Sequence, residues 1–372
     1  MKFRYYTNLW FLVVFAAVYT GCSTPPEEVI KVVDKKADEN VKKLYDFLAT
    51  SDTLGIMFGH EDSFAYGHGW KFDGEEYTSD VHKISGDFPA VFGWDLGHIE
   101  TGSPVNIDTV NFEHMKKFIV KAHEMGAINT LSWHPVHPST GGTTWDTTVV
   151  VNQLLPGGAL NDKFNGWITY IGHFFSDLKD SKGNNVPVIF RPFHEHNGSW
   201  FWWGDDLCSV EEYTQLWKYT VSYLRDTMNV HNVLYAYSPN IVGSAEEYLA
   251  KYPGDEWVDI LGVDVYDFPH YGIKYDEVLP KNLDILKSIA IEKNKPYALT
   301  ETGYLNEKPE RWWTDSLLEY TKDTGIRWAL VWINLEETQF YFTYPGEASA
   351  DNFNEFYEKD ETVFASDLPE IY

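Results

Sequence analysis

Residues 186–195 read "VPVIFRPFHE", an apolar run of strand-forming residues that ends in a histidine and a glutamate. Runs of the same kind recur along the 372-residue chain. Because they are apolar without strict alternation, they predict strands that are buried on both faces. Eight of them are found: "GIMFGH" from residue 55, "AVFGWDLG" from 90, "INTLSWH" from 128, "VPVIFRPFHE" from 186, "VLYAYSP" from 233, "DILGVDVY" from 259, "PYALTETG" from 296 and "WALVWIN" from 328.

Helical patterns separate these strands. In residues 111–126, "NFEHMKKFIVKAHEMG", apolar side chains recur at spacings of three and four, which predicts a helix with one packed face. Residues 210–228 and 315–325 show the same pattern. Eight buried strands that alternate with helices predict an α/β fold, a (β/α)8 TIM barrel, as a single catalytic domain over residues 40–372. A doubly wound open sheet is the alternative, but no glycine-rich phosphate loop follows any of the strands.

The amino terminus predicts a secreted, lipid-anchored protein. Lys2 and Arg4 precede an apolar run over residues 9–18, which is too short for a membrane span but fits a signal peptide. The ending "VYTGC" resembles a lipoprotein signal, so residues 1–21 are predicted to be removed and Cys22 lipidated. An ordinary secretory peptide and a retained anchor are the alternatives. Residues 22–39 are predicted to form a polar tether, and the protein to lie at the outer membrane, facing the periplasm or the cell surface.

The cysteine count bears on whether a disulfide can form, and the charge bears on which ligands the protein can bind. Lipidation of Cys22 would leave Cys208, the other of two cysteines, without a disulfide partner. A net charge of −27 repels phosphate backbones and anionic headgroups, which excludes nucleic acid as a partner. Fifteen tryptophans and an aromatic content of 17% exceed the needs of a core and indicate flat surfaces for a neutral ligand.

In a barrel of this kind the active site lies at the carboxyl ends of the strands. The strand ends carry polar and aromatic residues at almost every position, which is the composition of a site. They are His60, Trp94, Asp95, His134, His194, Glu195, Tyr237, Tyr266, Glu301, Trp332 and Asn334.

Two glutamates among them, Glu195 and Glu301, have no obvious solvated face, so their burial needs a reason. A structural role is one reading, with a glutamate bonded to Arg191. Two carboxylates amid tryptophans favour another, the hydrolysis of glycosidic bonds, in which one carboxyl protonates the leaving oxygen and the other attacks the sugar carbon. Aromatic rings beside the acid would raise its pKa by desolvation.

A metal site at the histidines is an alternative that the sequence raises. His194 and His196 stand two residues apart and face the same way on a strand, as a chelating pair would. They follow the fourth strand, whereas metal-dependent hydrolases on this fold usually carry such a pair after the first, so we expect neither metal nor cofactor. His134 is expected to hydrogen-bond sugar hydroxyls, and for His137 a structural role is equally well supported.

With these residues in place, the chain resembles glycoside hydrolase family 26, whose best-known members are β-mannanases. The resemblance runs from about residue 54 to the last strand. It is carried by "SWHPVHP", "RPFHEHNGSWFWWG", "YPGDEWVDILGVDVYD" and "ALTETGY". It implies a retaining mechanism on a (β/α)8 barrel, with Glu195 as acid/base and Glu301 as nucleophile.

The resemblance also implies roles for neighbouring residues. His194 should orient the acid/base, Tyr266 should hydrogen-bond the nucleophile, and His134 should contact the sugar that is cleaved. Trp200 and Trp332 should be stacking platforms, with Trp145 as a further substrate contact. His196 departs from the family, which often has an apolar residue there, and this puts the neighbouring subsite in question.

The implied substrate is mannan, galactomannan or glucomannan. Family members that act on mixed-linkage β-glucan or β-1,3-xylan are the alternatives, and a lipid-anchored glycan-binding protein without turnover is an alternative of another class. We expect a monomer. Whether cleavage is internal or releases mannobiose from an end depends on loops such as the long one after the third strand.

Overall fold

The computed structural model describes residues 32–336 and 339–372. Eight parallel strands form a closed barrel in these residues, and each lies within a predicted run, except that the first extends one residue past its run to Glu61. In chain order they are β1 (Ile56–Glu61), β2 (Val91–Asp95), β3 (Ile128–Trp133), β4 (Val188–Pro192), β5 (Val233–Tyr237), β6 (Ile260–Asp264), β7 (Tyr297–Thr302) and β8 (Trp328–Val331).

The barrel closes because β8 pairs with β1 in parallel, from Met57 opposite Trp328 to His60 opposite Val331. Every other neighbouring pair is also parallel and follows the chain order. The predicted (β/α)8 barrel is therefore confirmed, and the open sheet was wrong. A short strand, Thr362–Val363, adds to β1 beside its pairing with β2. Two hairpins lie outside the barrel, Tyr66–Gly67 with Trp70–Lys71 and Asn334–Glu336 with Gln339–Phe340.

Ten α-helices are found in the described residues. They are α1 (Glu39–Thr50), α2 (Asp80–Ser85), α3 (Phe112–Glu124), α4 (Val151–Leu154), α5 (Asn161–Asp177), α6 (Val210–Ser222), α7 (Ala245–Leu249), α8 (Tyr275–Lys293), α9 (Glu319–Thr321) and α10 (Ala350–Tyr357). The predicted helix at 111–126 is confirmed as α3. The other two predicted helices include wider turns: α6 continues as a π-helix over Tyr223–Thr227, and the π-helix Trp313–Leu318 precedes α9.

Two apolar clusters hold the barrel together. The larger lies among the strands, the surrounding helices and the aromatic loops. The smaller joins the inward side chains of the strands, such as Ile128, Ile189 and Ile260, to the apolar face of α1. Helix α1 therefore packs on the barrel core, and the carboxyl ends of the strands are left to carry polar groups.

The amino-terminal boundary differs from the prediction. Residues 33–38 were predicted to belong to a polar tether, but Val33 and Ala37 are buried, and the Val33 amide donates to Asp259 Oδ1 at 2.7 Å. Asp34 accepts from His231 Nδ1 at 2.6 Å. The packed body thus begins about seven residues earlier than residue 40, because backbone and carboxylate groups here have partners on β5 and β6 loops.

The predicted signal peptide, Cys22 and the first part of the tether lie outside the described residues. Within residues 32–336 and 339–372, no helix combines the length and apolar character that a bilayer crossing requires.

Candidate active site

The end of β4 departs sharply from strand geometry. The strand stops at Pro192, and Phe193 and Glu195 both adopt left-handed backbone conformations with φ of 50°. Non-glycine residues avoid this region, at a cost of about 1–3 kcal/mol each, and such strain concentrates at functional sites. The amide of Glu195 donates to Ser238 O at 2.9 Å, which ties the turn to the end of β5. The turn buries the side chains of both His194 and Glu195.

Two neutral groups hold the carboxylate of Glu195. Asn240 Nδ2 donates to Oε1 at 2.7 Å, and Trp200 Nε1 donates to Oε2 at 2.9 Å. The Trp200 ring reaches this position across Gly198, where a Cβ would lie 2.2 Å from the ring. Burial raises the pKa of Glu195 to about 7, and the Glu301 carboxylate adds to this rise, while the two hydrogen bonds oppose it. Glu195 is thus a carboxylic acid that keeps its proton at mildly acidic pH.

Glu301, in β7, has a cationic neighbour instead. The guanidinium of Arg191 forms an ion pair with its Oε1, and the hydroxyl of Tyr266 donates to its Oε2 at 2.7 Å. Arg191 also donates to Asp264 Oδ2 at 3.0 Å. Burial alone would lower the pKa of Arg191, but the Asp264 and Glu301 carboxylates hold it above its ordinary value. Both oxygens of Glu301 thus have a donor, which holds the carboxylate in one orientation.

The two glutamates are close together. One oxygen from each of Glu195, Asp264 and Glu301 lies within 4.8 Å of the other two. Retaining glycosidases place their carboxyl groups about 5–5.5 Å apart, whereas inverting enzymes need about 6.5–9.5 Å to admit a water. The separation matches the retaining geometry. The three carboxylates also have the spacing of metal ligands, but Arg191 already supplies a cation to two of them.

His134 and His194 meet beside Glu301. His134 Nδ1 lies 2.7 Å from Asp95 Oδ2, and its Nε2 lies 3.1 Å from His194 Nε2. His194 Nε2 is also 3.7 Å from Glu301 Oε1. The prediction that His194 orients the acid/base was wrong: Asn240 and Trp200 hold Glu195, because the left-handed turn sends the two adjacent side chains to different partners.

Aromatic rings surround these groups. The ring of Trp145 stacks over His134 with centroids 6.0 Å apart, and Trp332 meets His134 edge-on at 6.1 Å. Trp145 is 52% exposed and Trp200 is 38% exposed, so both offer ring surface to a ligand. The structure brings together the residues predicted to be catalytic or to contact the sugar: Glu195, Glu301, His134, His194, Trp200, Tyr266, Trp332, Trp145 and Arg191. Their contacts with a sugar stay a prediction.

The strand-end residue Tyr237 and the two histidines His196 and His137 form their hydrogen bonds outside the site. His196 is buried between Tyr213 and Tyr237, and the Tyr237 hydroxyl contacts its Nε2 at 2.8 Å. The side chain at which the sequence departs from the family is therefore part of the core. His137 is also buried, with Nε2 2.8 Å from Thr148 O, and it organises the loop after β3.

Sequence reasoning missed two residues of the site, Asn240 and Asp264. Asn240 follows "YSP" at the end of β5, and its proline-bounded position gave no sign that it would meet Glu195. Asp264 is the last residue of β6, in "GVDVYD", and is flanked by Val263 and Val265. A carboxylate between two apolar residues at a strand end is a signal from which it could have been predicted. The expectation that Arg191 bonds one of the two glutamates is confirmed for Glu301, and Arg191 pairs with Asp264 as well.

Comparison with known proteins gives a consistent result. The model of glycosyl hydrolase family 26 matches residues 33–311. A mannan endo-1,4-beta-mannosidase from Bifidobacterium adolescentis is 33% identical over 382 residues, which cover 95% of this chain and 37% of that protein. This chain thus spans little more than a third of that curated relative.

Solved structures agree in fold. A family 26 β-mannanase from Bacteroides ovatus is 41% identical with a TM-score of 0.85, and the alignment covers 90% of this chain and 97% of that one. The catalytic domain of an endo-β-1,4-mannanase from Bacillus sp. JAMB-750 is 34% identical with a TM-score of 0.82, covering 91% and 94% of the two chains.

Proposed function

The chain belongs to glycosyl hydrolase family 26, and on that premise we propose that it is a retaining β-mannanase that hydrolyses β-1,4-mannosidic linkages. Mannan, galactomannan and glucomannan are the proposed substrates. The relatives named as mannan endo-1,4-beta-mannosidases and β-mannanases support this substrate class. The high aromatic content of the site supports a neutral polysaccharide over a charged one.

In the first step the proposed nucleophile is Glu301. Its carboxylate attacks the anomeric carbon as the bond to the leaving oxygen breaks, and the proton of Glu195 passes to that oxygen. Arg191 and Tyr266 hold the attacking carboxylate in place, which reduces the motion needed to reach the transition state. The product of this step is a glycosyl ester on Glu301 and a shortened chain.

In the second step Glu195, now ionised, removes a proton from water, and the hydroxide attacks the same anomeric carbon. The ester bond to Glu301 breaks, and the free carboxylate returns to its ion pair with Arg191. Two inversions at one carbon give net retention. Asn240 and Trp200 support the ionised Glu195 in this step because both donate hydrogen bonds to its oxygens.

One observation carries the proposal: two glutamates within 4.8 Å of each other have opposite surroundings. Glu195 has neutral donors and a pKa raised to about 7, whereas Glu301 has a guanidinium and a phenol. Paired carboxyls at this distance take different roles when their surroundings favour different protonation states.

The first experiment is a time course of products from mannan, galactomannan, glucomannan, xylan and mixed-linkage glucan. An early ladder of many manno-oligosaccharides would show internal cleavage, and mannobiose alone would show attack from an end. Products from glucan or xylan but not from mannan would overturn the substrate. No product from any polymer, with mannan still bound, would indicate a glycan-binding protein.

The catalytic pair is tested by two substitutions. We expect Glu301→Gln to lose at least about 10^3-fold in kcat with mannan binding nearly kept, because only the attacking group is removed. Glu195→Ala should slow substrates with poor leaving groups most, by about 10^2–10^4-fold, and azide should restore part of the turnover with activated aryl mannosides. An equal loss on all substrates would contradict the acid role of Glu195.

We also propose that Cys22 carries a lipid that anchors the protein at the outer membrane. The sequence before Cys22 supports this, with its basic start and short apolar run. Full-length protein expressed in a bacterial host should incorporate labelled palmitate and sediment with membranes. Cys22→Ala should abolish both, and membrane association that survives the substitution would contradict the anchor.

A further inference from the structure

Asp95, the last residue of β2, has a role in none of the steps above, yet its side chain is fully buried and fully engaged. One oxygen, Oδ1, accepts from the amide of Gly97 at 2.6 Å. The other, Oδ2, accepts from Ser132 Oγ at 2.6 Å and lies 2.7 Å from His134 Nδ1. Burial raises the pKa of Asp95, but His134 and these hydrogen bonds more than offset it, so the pKa lies below its ordinary value. Asp95 is therefore an anion that only accepts hydrogen bonds.

An acceptor at 2.7 Å determines where His134 carries its proton. Because ionised Asp95 has no hydrogen to give, the hydrogen on this contact belongs to His134 Nδ1. In neutral imidazole one nitrogen is a donor and the other an acceptor. When His134 is neutral, its Nε2 therefore carries a lone pair and no hydrogen.

The lone pair on His134 Nε2 determines which nitrogen of His194 is protonated. His194 Nε2 lies 3.1 Å from His134 Nε2, and a contact between two nitrogens at this distance needs one hydrogen between them. With His134 Nε2 unprotonated, the hydrogen belongs to His194 Nε2. His194 Nε2 also lies 3.7 Å from Glu301 Oε1, so the positive end of this N–H stands beside the carboxylate without a hydrogen bond to it. His194 Nδ1 has no hydrogen-bond partner among the described residues, which costs less for a bare nitrogen than for a buried N–H.

The charged groups around the two rings set the pH range in which this assignment holds, which lies above the pKa of His134. His134 is faced by Asp95, Glu301 and Asp108, and their carboxylates raise its pKa although burial lowers it. His194 is faced by Arg191, His134 and His196; burial and these groups lower its pKa well below the ordinary value, so the ring is neutral.

We propose that Asp95 is a positioning residue for the nucleophile: through His134 it fixes His194 as the Nε2–H tautomer and so places an N–H, rather than a lone pair, 3.7 Å from Glu301 Oε1. The order of contacts is Asp95, His134 Nδ1–H, His134 Nε2, His194 Nε2–H, Glu301. Asp95 touches neither the substrate nor Glu301. It acts only by setting which nitrogens carry protons.

The inference is tested first on the wild-type protein, without substrate. Long-range 1H–15N NMR of protein labelled in histidine distinguishes the two tautomers of each ring, with assignments from His134→Asn and His194→Asn. We expect His134 to carry Nδ1–H alone and His194 to carry Nε2–H at pH values above the pKa of His134, which a pH titration of the same 15N signals locates. A His194 ring protonated at Nδ1 in the wild type would overturn the proposal.

The second test is Asp95→Asn, which keeps the shape but can donate a hydrogen through its amide. His134 is then free to carry Nε2–H, and His194 must switch to Nδ1–H. We expect that switch in the NMR spectrum, and uptake of the second proton by His134 at lower pH because the anion is gone. Asp62→Asn is the matched control, since Asp62 is an equally buried aspartate that accepts from Tyr66 and bonds neither histidine. Unchanged tautomers in Asp95→Asn would contradict the proposal.

The kinetic test rests on the proposed function. If wild-type protein cleaves mannan, Asp95→Asn should lose about 10–100-fold in kcat with little change in KM, the size of loss that removal of an orienting partner causes. In a His194→Asn background the same substitution should cost nothing more, because the contact it acts through is absent. Additive losses would overturn the proposal. The NMR result is independent of turnover, so failure of the proposed function and failure of this inference can be distinguished.

Discussion

At the residue scale, the site depends on what each carboxylate is bonded to. Glu195 receives hydrogen bonds from an amide and an indole, and burial raises its pKa to about 7. Glu301 receives a guanidinium and a phenol. The indole of Trp200 is of particular interest, because this residue was predicted only as a stacking platform, whereas its N–H also stabilises the ionised form of the acid/base.

The hydrogen bond from Trp200 to Glu195 predicts how the pH profile of kcat/KM changes in the Trp200→Phe variant. The acid role needs protonated Glu195, which is lost as pH rises through about 7. Removing the Trp200 N–H disfavours the ionised form, so the pKa of Glu195 rises further and the alkaline limb of kcat/KM moves to higher pH. The pH dependence of mannan cleavage measures this shift.

Trp145→Phe is the matched control, because Trp145 contacts His134 and Phe201 by its ring and gives no hydrogen bond to Glu195. Its substitution should leave the alkaline limb in place. An alkaline limb that stays unchanged in Trp200→Phe, or moves to lower pH, would contradict the assignment of Glu195 as the acid.

At the element scale, the strands carry the site residues at their carboxyl ends, and the helices that follow fix the turns between them. Helix α6 follows the aromatic turn that carries Glu195 and begins with a capping box: Ser209 Oγ accepts from the Glu212 amide at 3.1 Å, and the Ser209 amide donates to Glu212 Oε2 at 2.7 Å. This reciprocal pair satisfies two otherwise free backbone amides at the helix start.

Ser209→Ala should therefore reduce the free energy of unfolding by about 0.5–2 kcal/mol. The melting temperature, measured by calorimetry, should fall by a few degrees at most in a chain of this size. Ser288→Ala is the control, since Ser288 is an exposed residue inside α8 and bonds only to the backbone of its own helix. Equal melting temperatures for the Ser209→Ala variant and the wild type would show that the cap does not stabilise the fold.

At the scale of the whole molecule, barrel closure brings the carboxyl ends of all eight strands to one mouth, while α1 packs on the core formed by the inward side chains. The segment before α1 takes part as well. Val33 donates to Asp259, whose pKa burial raises to about 6 and whose other acceptor contact is the Tyr235 amide. Residues 33–38 thus belong to the folded body.

A chain that begins at residue 40 should consequently be less stable than one that begins at residue 32. Loss of the Val33 and Asp34 contacts leaves the buried Asp259 short of a donor, which costs about 1–3 kcal/mol. Thermal unfolding of the two chains side by side measures the difference. Equal stabilities would restore the predicted boundary at residue 40.

Much of the architecture could be predicted from the sequence because its signals are local. Eight apolar runs and the helical spacing of residues 112–124 are properties of neighbouring residues, and they determined the strands, helix α3 and the (β/α)8 class. The pairing of Glu195 with Glu301 was also readable, since a rule about barrels places strand ends together. Local spacing failed at π-turns such as Trp313–Leu318, where wider turns replace the regular helix.

By itself the sequence determined the strand order, the class of fold and the two glutamates that face one another, because each follows from chain-local pattern and one topological rule. Only the tertiary structure decided which partner each polar group meets. In it Arg191 forms an ion pair with Glu301, and Asn240 and Trp200 donate hydrogen bonds to Glu195. His196 is packed in the core. These outcomes depend on left-handed backbone at Phe193 and Glu195 and on distances between side chains far apart in sequence, for which a linear pattern carries no signal.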